Sequence, residues 1–515
     1  MVETTTGTSR SSGITYQQLL AEDSHPVPDI MRMESPMPPG PTIVPAERYY
    51  SREFHDLEVE KLWSRVWQMA CHEDDIPEVG DYHVYEIARL SFLVVRTGED
   101  EFKAFHNACL HRGRMLKIKD GKRAREFRCA FHGWAWNTDG SLKEVPCHWD
   151  FPTVTAETHS LPEVKLGRWG GFLFINPDEN AEPLKDFLGD LSAQFPNLPY
   201  EKRYKVAHVA KILRCNWKIA QEAFSEAYHV IATHPTILES IGDANTQYDV
   251  FGNYSRAMSP NFTPSPHVSQ HFPELEDAML YTRQRHALTG HIYERGDDGL
   301  VHVTNGRGEV SKFKVDGTWV EGPLTQPDPN MCNWVGGEQL PDFDKVPAPP
   351  PPEVPEGMNR RQMMAAGIRD SFRNVLGDEV MDNVPDAELL DSIYLTVFPN
   401  FHPWGSFNQI VYRFRPNGDN PEECIQECMY MAPSPGGAEN RPPPPPVHWL
   451  GPDDDWVEAP ELGMLAKVFN QDIVNMPEVQ RGLKMLKDPQ VIFANYGETK
   501  VRHFQELLTE WTERG

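Results

Sequence analysis

Two short pairs, Cys109-x-His111 and Cys129-x-x-His132, lie within the stretch CLHRGRMLKIKDGKRAREFRCAFHGW, and no other feature of this 515-residue chain restricts its folding as tightly. Each pair offers one soft thiolate and one imidazole, and Gly113 and Gly133 free the backbone just after them. Four such groups on two loop tips can enclose one metal centre if a β framework brings the tips together. The flanking sequence provides that framework. Short β-rich runs broken by turns (DYHVYEIA, SFLVVRT, EFKAFHNAC, EFRCAFHGWAWN, GGFLFINP) predict an antiparallel β domain of about 120 residues.

The ligand pairing narrows the kind of metal. Zinc fingers usually pair Cys with Cys and His with His, whereas here each loop carries one of each. That mixture suits two chemically unlike metal atoms, as in a Rieske [2Fe-2S] cluster, where one iron takes two Cys and the other two His. A structural zinc site and unrelated core residues are the alternatives. Cys147 and His148 follow closely, but four ligands are complete without them. At this point the chain resembles the Rieske non-heme iron oxygenases, the catalytic subunits of aromatic-ring-hydroxylating systems. The matching residues are Cys109, His111, Arg112, Gly113, Cys129, His132, Gly133 and Trp134, followed by Gly140 and Pro146.

A second constellation lies at NWKIAQEAFSEAYHVIATHP, which places Glu226, His229 and His234 in the order E-x2-H-x4-H. On a helix Glu222, Glu226 and His229 share one face, while His234 points about 140° away from His229. Both imidazoles reach one metal only if the helix ends between them, and Pro235 favours such a break. Two histidines and a carboxylate form the facial triad that holds non-heme Fe(II) with open coordination positions. The resemblance nominates Asp472, in FNQDIVNMPEVQRGL, as the third ligand; Asp453, Asp454 and Asp455 are the alternatives. It also implies that Glu226, where Asp is more usual, links His229 to the cluster ligand His132 of the partner subunit. Asn216 keeps the family pattern and is expected either beside the iron or as a helix N-cap, whereas Ala223 replaces the Asn that usually follows the helical Glu. Phe398, Phe401, Trp404 and Phe407 are candidate pocket residues, with core packing around a sheet as the alternative.

Length allows two or three folding units. The sequence divides into an N-terminal tail (1–45), a unit over 46–200 with the cluster domain, and a catalytic unit over 201–515 with a long insertion at about 240–390. An amphipathic helix is expected from Glu47 to about Ala70, with Phe54, Leu57, Leu62, Val66 and Met69 on its apolar stripe. The proline-rich VPAPPPPEVP is expected to be a stiff surface connector. The fold class expected is α+β, an antiparallel β Rieske domain plus a catalytic domain with a large antiparallel sheet flanked by helices.

A net charge of -27 argues against a broad nucleic-acid or membrane surface. No apolar run approaches the roughly 20 residues of a membrane helix, and MVETTTGTSRSSG lacks the order of a secretory signal, so a cytoplasmic location is expected. Against that acidity, Arg112, Arg114, Lys117, Lys119, Lys122, Arg123, Arg125 and Arg128 face only Asp120 and Glu126 between the cluster ligands, a net of +6. This segment is either a solvated loop or a surface that meets an acidic partner.

The resemblance implies an oxygenase component with a Rieske [2Fe-2S] cluster and mononuclear Fe(II), using O2 to hydroxylate or oxidatively demethylate an aromatic or other apolar ring substrate. It further implies electrons from an NAD(P)H-dependent reductase, directly or through a ferredoxin, and a homotrimer or higher multiple, with or without a small beta subunit. A Rieske electron carrier without oxygenase activity, or a zinc-stabilised binding protein, would each leave part of these residues unexplained.

Overall fold

Alternation of side chains along Leu90–Gly98 shows how the first half is assembled in the computed structural model, which describes residues 13–38, 40–350, 352–434 and 441–514. Phe92 and Val94 face the main core. Leu93 and Val95 face a second cluster that holds Cys109, Cys129, Trp134 and Trp136, as the two-residue period of a strand requires. The strand belongs to a six-stranded antiparallel sheet in the order Gln68–His72, Phe172–Asn176, Glu163–Trp169, Glu101–His106, Leu90–Gly98, Tyr82–Ile87. A three-stranded sheet, Phe127–Arg128, Ala135–Trp136 and Leu142–Glu144, carries the Cys129–His132 loop between its first two strands.

The second half is built on eight strands in the order Gln247–Phe251, Tyr254–Ser259, Ser392–Val397, Phe401–Pro403, Ile410–Asn417, Asn420–Pro433, Arg203–Leu213, His448–Leu450. All pairings are antiparallel except the last. The helix Trp217–Ala223 packs on the strands Ile410–Asn417 and Asn420–Pro433, and the helix Thr499–Glu513 packs on the two strands at the opposite edge. The architecture is α+β, as expected. Among the described residues no helix is long and apolar enough to cross a membrane.

Several local expectations need correction. The helix of residues 47–70 ends early: Arg52–Leu57 passes into a wider π-helical turn at Glu58–Trp63, and Met69 lies in the strand Gln68–His72. That strand is buried at every residue, so its apolar positions fit the end of a helical stripe as readily as a strand covered on both faces. The stretch 240–390 is more regular than its sequence suggests. It holds two strands of the large sheet, a separate five-stranded sheet from Arg283–Arg285 to Trp319–Glu321, and the helices Pro329–Gly336 and Arg360–Leu376. Residue 351, in the proline run, lies outside the described residues.

Residues 1–12 of the tail also lie outside them, but from residue 13 the tail packs on its own chain. Tyr16 donates to Asp391 at 2.9 Å, and Arg256 donates to the Ile30 carbonyl at 2.6 Å.

Candidate active site

The two Cys–His loops are built alike. The N–H of Gly113 donates to the Cys109 carbonyl at 2.8 Å and that of Gly133 to the Cys129 carbonyl at 3.1 Å, with φ of 72° and 79° that a side chain would strain. Cys109 and Cys129 are buried, while His132 is exposed beside Phe131, itself 59% exposed. The His111 and His132 rings lie 4.5 Å apart, and His111 stacks on Trp134 at 5.1 Å. Burial pushes the Cys109 thiol up, partly offset by the N–H groups of His111 and Arg112. Burial opposes ionisation of Cys129 too, yet the N–H groups of Phe131 and His132 facing its sulfur bring it below the ordinary thiol range. Such donors favour thiolate ligands, and the buried His111 Nδ1 has no hydrogen-bond partner.

Among the described residues only His229, His234 and Asp472 bring three donor atoms within 4.8 Å of one another. The four groups of the Cys–His loops are spread more widely than a single ion requires, which fits a two-iron cluster better than zinc. Cys147 is exposed, and His148 Nε2 bonds the Val154 carbonyl at 2.8 Å.

The second constellation departs from a continuous helix. Trp217–Ala223 ends before Glu226, and a single turn, Val230–Thr233, follows with His229 at its start and His234 at its end. Glu226 makes the new start: its carboxylate accepts the backbone N–H of His229 at 2.9 Å and bonds His229 Nδ1 at 2.7 Å. Tyr248 holds the intervening loop by accepting the Ala227 N–H at 2.9 Å. With the histidines at opposite ends of one turn, both Nε2 atoms converge on Asp472 Oδ1, at 3.7 Å from His229 and 3.0 Å from His234.

Asp472 arrives from the helix Met464–Ile473, and its neighbour Gln471 bonds His234 Nδ1 at 2.9 Å. With both Nδ1 atoms hydrogen-bonded, bare Nε2 lone pairs on neutral imidazoles would face a carboxylate, acceptor against acceptor, which a cation between them relieves. Asp472 Oδ2 is buried without a partner. Burial pulls the His229 imidazole down, but Glu226 and then Asp472 outweigh it and lift it to about 9, so the site favours positive charge. Two histidines and one carboxylate fit a non-heme Fe(II).

Of the two expectations for Asn216, the helix cap is the one seen. Its side chain caps the helix Trp217–Ala223 by accepting the Lys218 N–H at 3.0 Å, and its amide donates to the Pro421 carbonyl at 2.6 Å. Asp453 pairs with Arg214 at the surface, and Asp455 caps the turn Trp456–Glu458. Of the four aromatic pocket candidates, Phe398, Phe401 and Phe407 are core residues and Trp404 is half-buried against the core. Phe398 packs on Phe504 and Trp511, Phe401 on Phe172 and Phe174, Trp404 on Tyr394 and Tyr412, and Phe407 on Phe372.

The cavity beside the histidines, about 220 Å³, has another wall: Tyr49, Ile219, Glu222 and Ala223 on one side, Met476, Val479, Leu483 and Val491 on the other, with His229 and Asp472. Glu222 accepts from Tyr49 at 2.9 Å and Gln505 at 2.6 Å, and burial pushes its carboxyl up to about 7. Sequence reasoning missed Gln471, Tyr248 and most of this wall. Only the adjacency of Gln471 to Asp472 hinted at a role.

Residues 66–155 match the Rieske [2Fe-2S] domain family, and residues 197–293 and 355–514 match the family of ring hydroxylating alpha subunit catalytic domains. The chain is 28% identical over 240 residues to the carnitine monooxygenase oxygenase subunit of Escherichia coli (strain K12), covering 46% of this chain and 64% of that one. It is 30% identical over 191 residues to the biphenyl 2,3-dioxygenase alpha subunit of Rhodococcus jostii (strain RHA1), covering 36% and 42%, and 27% identical over 205 residues to the chloroplastic choline monooxygenase of Beta vulgaris, covering 38% and 46%. These matches span less than two thirds of each relative. The fold is similar to a quaternary ammonium Rieske monooxygenase solved with L-carnitine (TM-score 0.52, 16% identity, 93% of this chain and 100% of that one). It is likewise similar to a naphthalene 1,2-dioxygenase from Rhodococcus sp. solved with indole (TM-score 0.52, 19% identity, 91% and 94%).

Proposed function

Since the chain belongs to the Rieske-type oxygenase alpha subunits, with a Rieske domain and a ring-hydroxylating catalytic domain, we propose that it is the oxygenase component of a multicomponent system. It takes electrons from an NAD(P)H-dependent reductase, directly or through a ferredoxin, and uses O2 to hydroxylate or oxidatively demethylate a small organic substrate. The observation that carries this reading is the opening of one cavity onto His229 and Asp472 in a chain that also holds the Cys–His loops.

Cys109, His111, Cys129 and His132 would hold the [2Fe-2S] cluster, and His229, His234 and Asp472 the mononuclear iron. When bound, the cluster supplies single electrons and the iron supplies oxygen activation. The chain's own residues set the conditions. Glu226 and Gln471 keep the Nδ1 protons of the two histidines and so leave each Nε2 free. The aliphatic wall and Met476 exclude water and hold the apolar body of a substrate. Cytoplasmic location and assembly as a homotrimer or higher multiple belong to the same proposal, with Glu226 linking His229 to His132 of the partner subunit. The exposure of His132, and of Tyr228 beside Glu226, supports that link.

One observation favours a second reading of the substrate. Glu222 places a carboxyl on an otherwise mostly apolar wall, which suits a small cation better than a plain hydrocarbon. The test is oxygen uptake by the reconstituted enzyme with its reductase against aromatic acids, aromatic hydrocarbons and quaternary ammonium compounds, with product identification. Substrate-dependent uptake and an oxygenated product are expected. A cluster that cycles while no substrate in any class stimulates uptake would leave only an electron carrier.

A further inference from the structure

The segment 294–354 falls between the two stretches that match the catalytic-domain family, yet it reaches the metal-binding group. Its helix Pro329–Gly336 packs against Met464–Ile473, the helix that carries Asp472. Buried Asn330 touches both ligand-bearing segments. Its side-chain amide donates to the Ala232 carbonyl at 2.9 Å, in the turn between His229 and His234. Its main-chain carbonyl accepts from Gln471 Nε2 at 3.1 Å, beside Asp472. A third hydrogen bond, from Lys467 Nζ to the Glu338 carbonyl at 2.8 Å, ties the Asp472 helix to the chain just past the end of Pro329–Gly336.

The bond to Gln471 has a chemical consequence. A carbonyl oxygen only accepts, so the Asn330 carbonyl obliges Gln471 to turn its NH2 group that way and its Oε1 towards His234. Facing an acceptor, His234 Nδ1 must carry the proton, and Nε2 is left with its lone pair towards Asp472. An amide turned the other way would offer N–H to Nδ1 and leave the proton on the metal-facing nitrogen.

We propose that the segment 294–354 is a positioning device for the mononuclear metal site: through Asn330 it clamps the His229–His234 turn to the Asp472 helix, sets the orientation of the Gln471 amide, and thereby selects the metal-binding tautomer of His234. The proposal rests on His229, His234 and Asp472 being the metal ligands. Asn330 and Gln471 touch no substrate; both act through the ligands they hold.

The test uses the full chain with its cluster loaded and the mononuclear site stripped and titrated with Co(II), whose visible bands report ligand geometry. Asn330→Leu removes the side-chain bond to Ala232 but keeps all three ligands and the main-chain carbonyl that orients Gln471, so it tests the clamp, while Gln471→Met removes the amide and tests the tautomer. Both are expected to lower Co(II) affinity by about tenfold or more and to shift the bands, with the visible spectrum of the cluster unchanged. Asn330→Ser, too short to reach Ala232, gives the same loss and serves if the leucine variant fails to fold. Wild-type Co(II) affinity and bands in the Asn330 variants overturn the clamp, and the same result in Gln471→Met overturns the tautomer selection. A wild-type protein that binds no Co(II) there overturns the ligand assignment itself.

Discussion

Glu226 and Gln471 perform parallel tasks on the two histidines, bonding an Nδ1 at 2.7 and 2.9 Å respectively, but only Glu226 offers a carboxyl group. Glu226→Gln is expected to retain cluster and mononuclear metal while product formation falls by about 100-fold; metal content by mass spectrometry and single-turnover product yield check this, and unchanged turnover removes Glu226 from the electron route. Glu222 makes a prediction of opposite electrostatic character. Burial raises its carboxyl from the ordinary 4.5 to about 7, against the pull of Gln505, Tyr49 and Lys218. The folded protein therefore keeps a proton that the unfolded chain releases above about 4.5, and the stability this contributes is lost as pH rises through about 7. Relative to Glu222→Gln, the wild type should lose on the order of 1–2 kcal/mol between pH 5 and pH 8. Parallel melting curves for the two proteins across that range would show that the carboxyl is not raised.

At the scale of elements, the strand register joins the two halves of the chain. Cross-strand pairing sets Arg413 opposite Glu427, and the guanidinium donates to both carboxylate oxygens at 2.5 and 2.7 Å. Its remaining donors reach the Met69 and Ala70 carbonyls at 2.8 and 2.7 Å, in a strand of the six-stranded sheet. Arg413→Met takes the two-pronged partner from buried Glu427, which keeps Arg415 at 3.1 Å and His208 at 3.3 Å, and it also removes the bonds to Met69 and Ala70, so it should cost about 2–4 kcal/mol in urea unfolding. Loss of under about 1 kcal/mol would mean that the two sheets are held together elsewhere. The same scale explains how the histidines meet. Ending one helix at Ala223 and starting a one-turn helix at Val230 converts an unfavourable angular separation into convergence.

For the whole molecule, the distribution of charge matters more than its sum. Arg112, Lys119, Lys122, Arg123 and Arg125 are exposed and, among the described residues, form no ion pair, whereas Arg128 is engaged by Glu126 and Glu144. Exposed Ile118, Phe131 and Trp149 accompany these cations on the domain that holds the Cys–His loops. An acidic electron donor would be steered to such a surface, and steering weakens with salt. Reduction of the cluster by its donor protein should slow by about tenfold between low salt and 0.5 M NaCl in stopped-flow measurements. Insensitivity to salt would rule out docking through this face.

Short-range chemistry was legible in the sequence. The spacing of Cys109, His111, Cys129 and His132, the E-x2-H-x4-H order around His229, and the strands of the first 200 residues depend on neighbours a few positions apart, where periodicity and ligand type are informative. Asp472 came from resemblance to a family, because no spacing rule connects it to histidines more than 230 positions earlier. Tertiary structure alone decided the rest. It made Asn216 a helix cap, sent Phe398, Phe401 and Phe407 into the core with half-buried Trp404 against it, and built the cavity from residues as distant as Tyr49 and Val491. It also brought Asn330 to the segments that carry His229, His234 and Asp472, from the stretch whose pattern was hardest to read. The physical reason is the same throughout: local pattern determines what a residue can do, and packing between elements far apart in the chain determines which partner it meets.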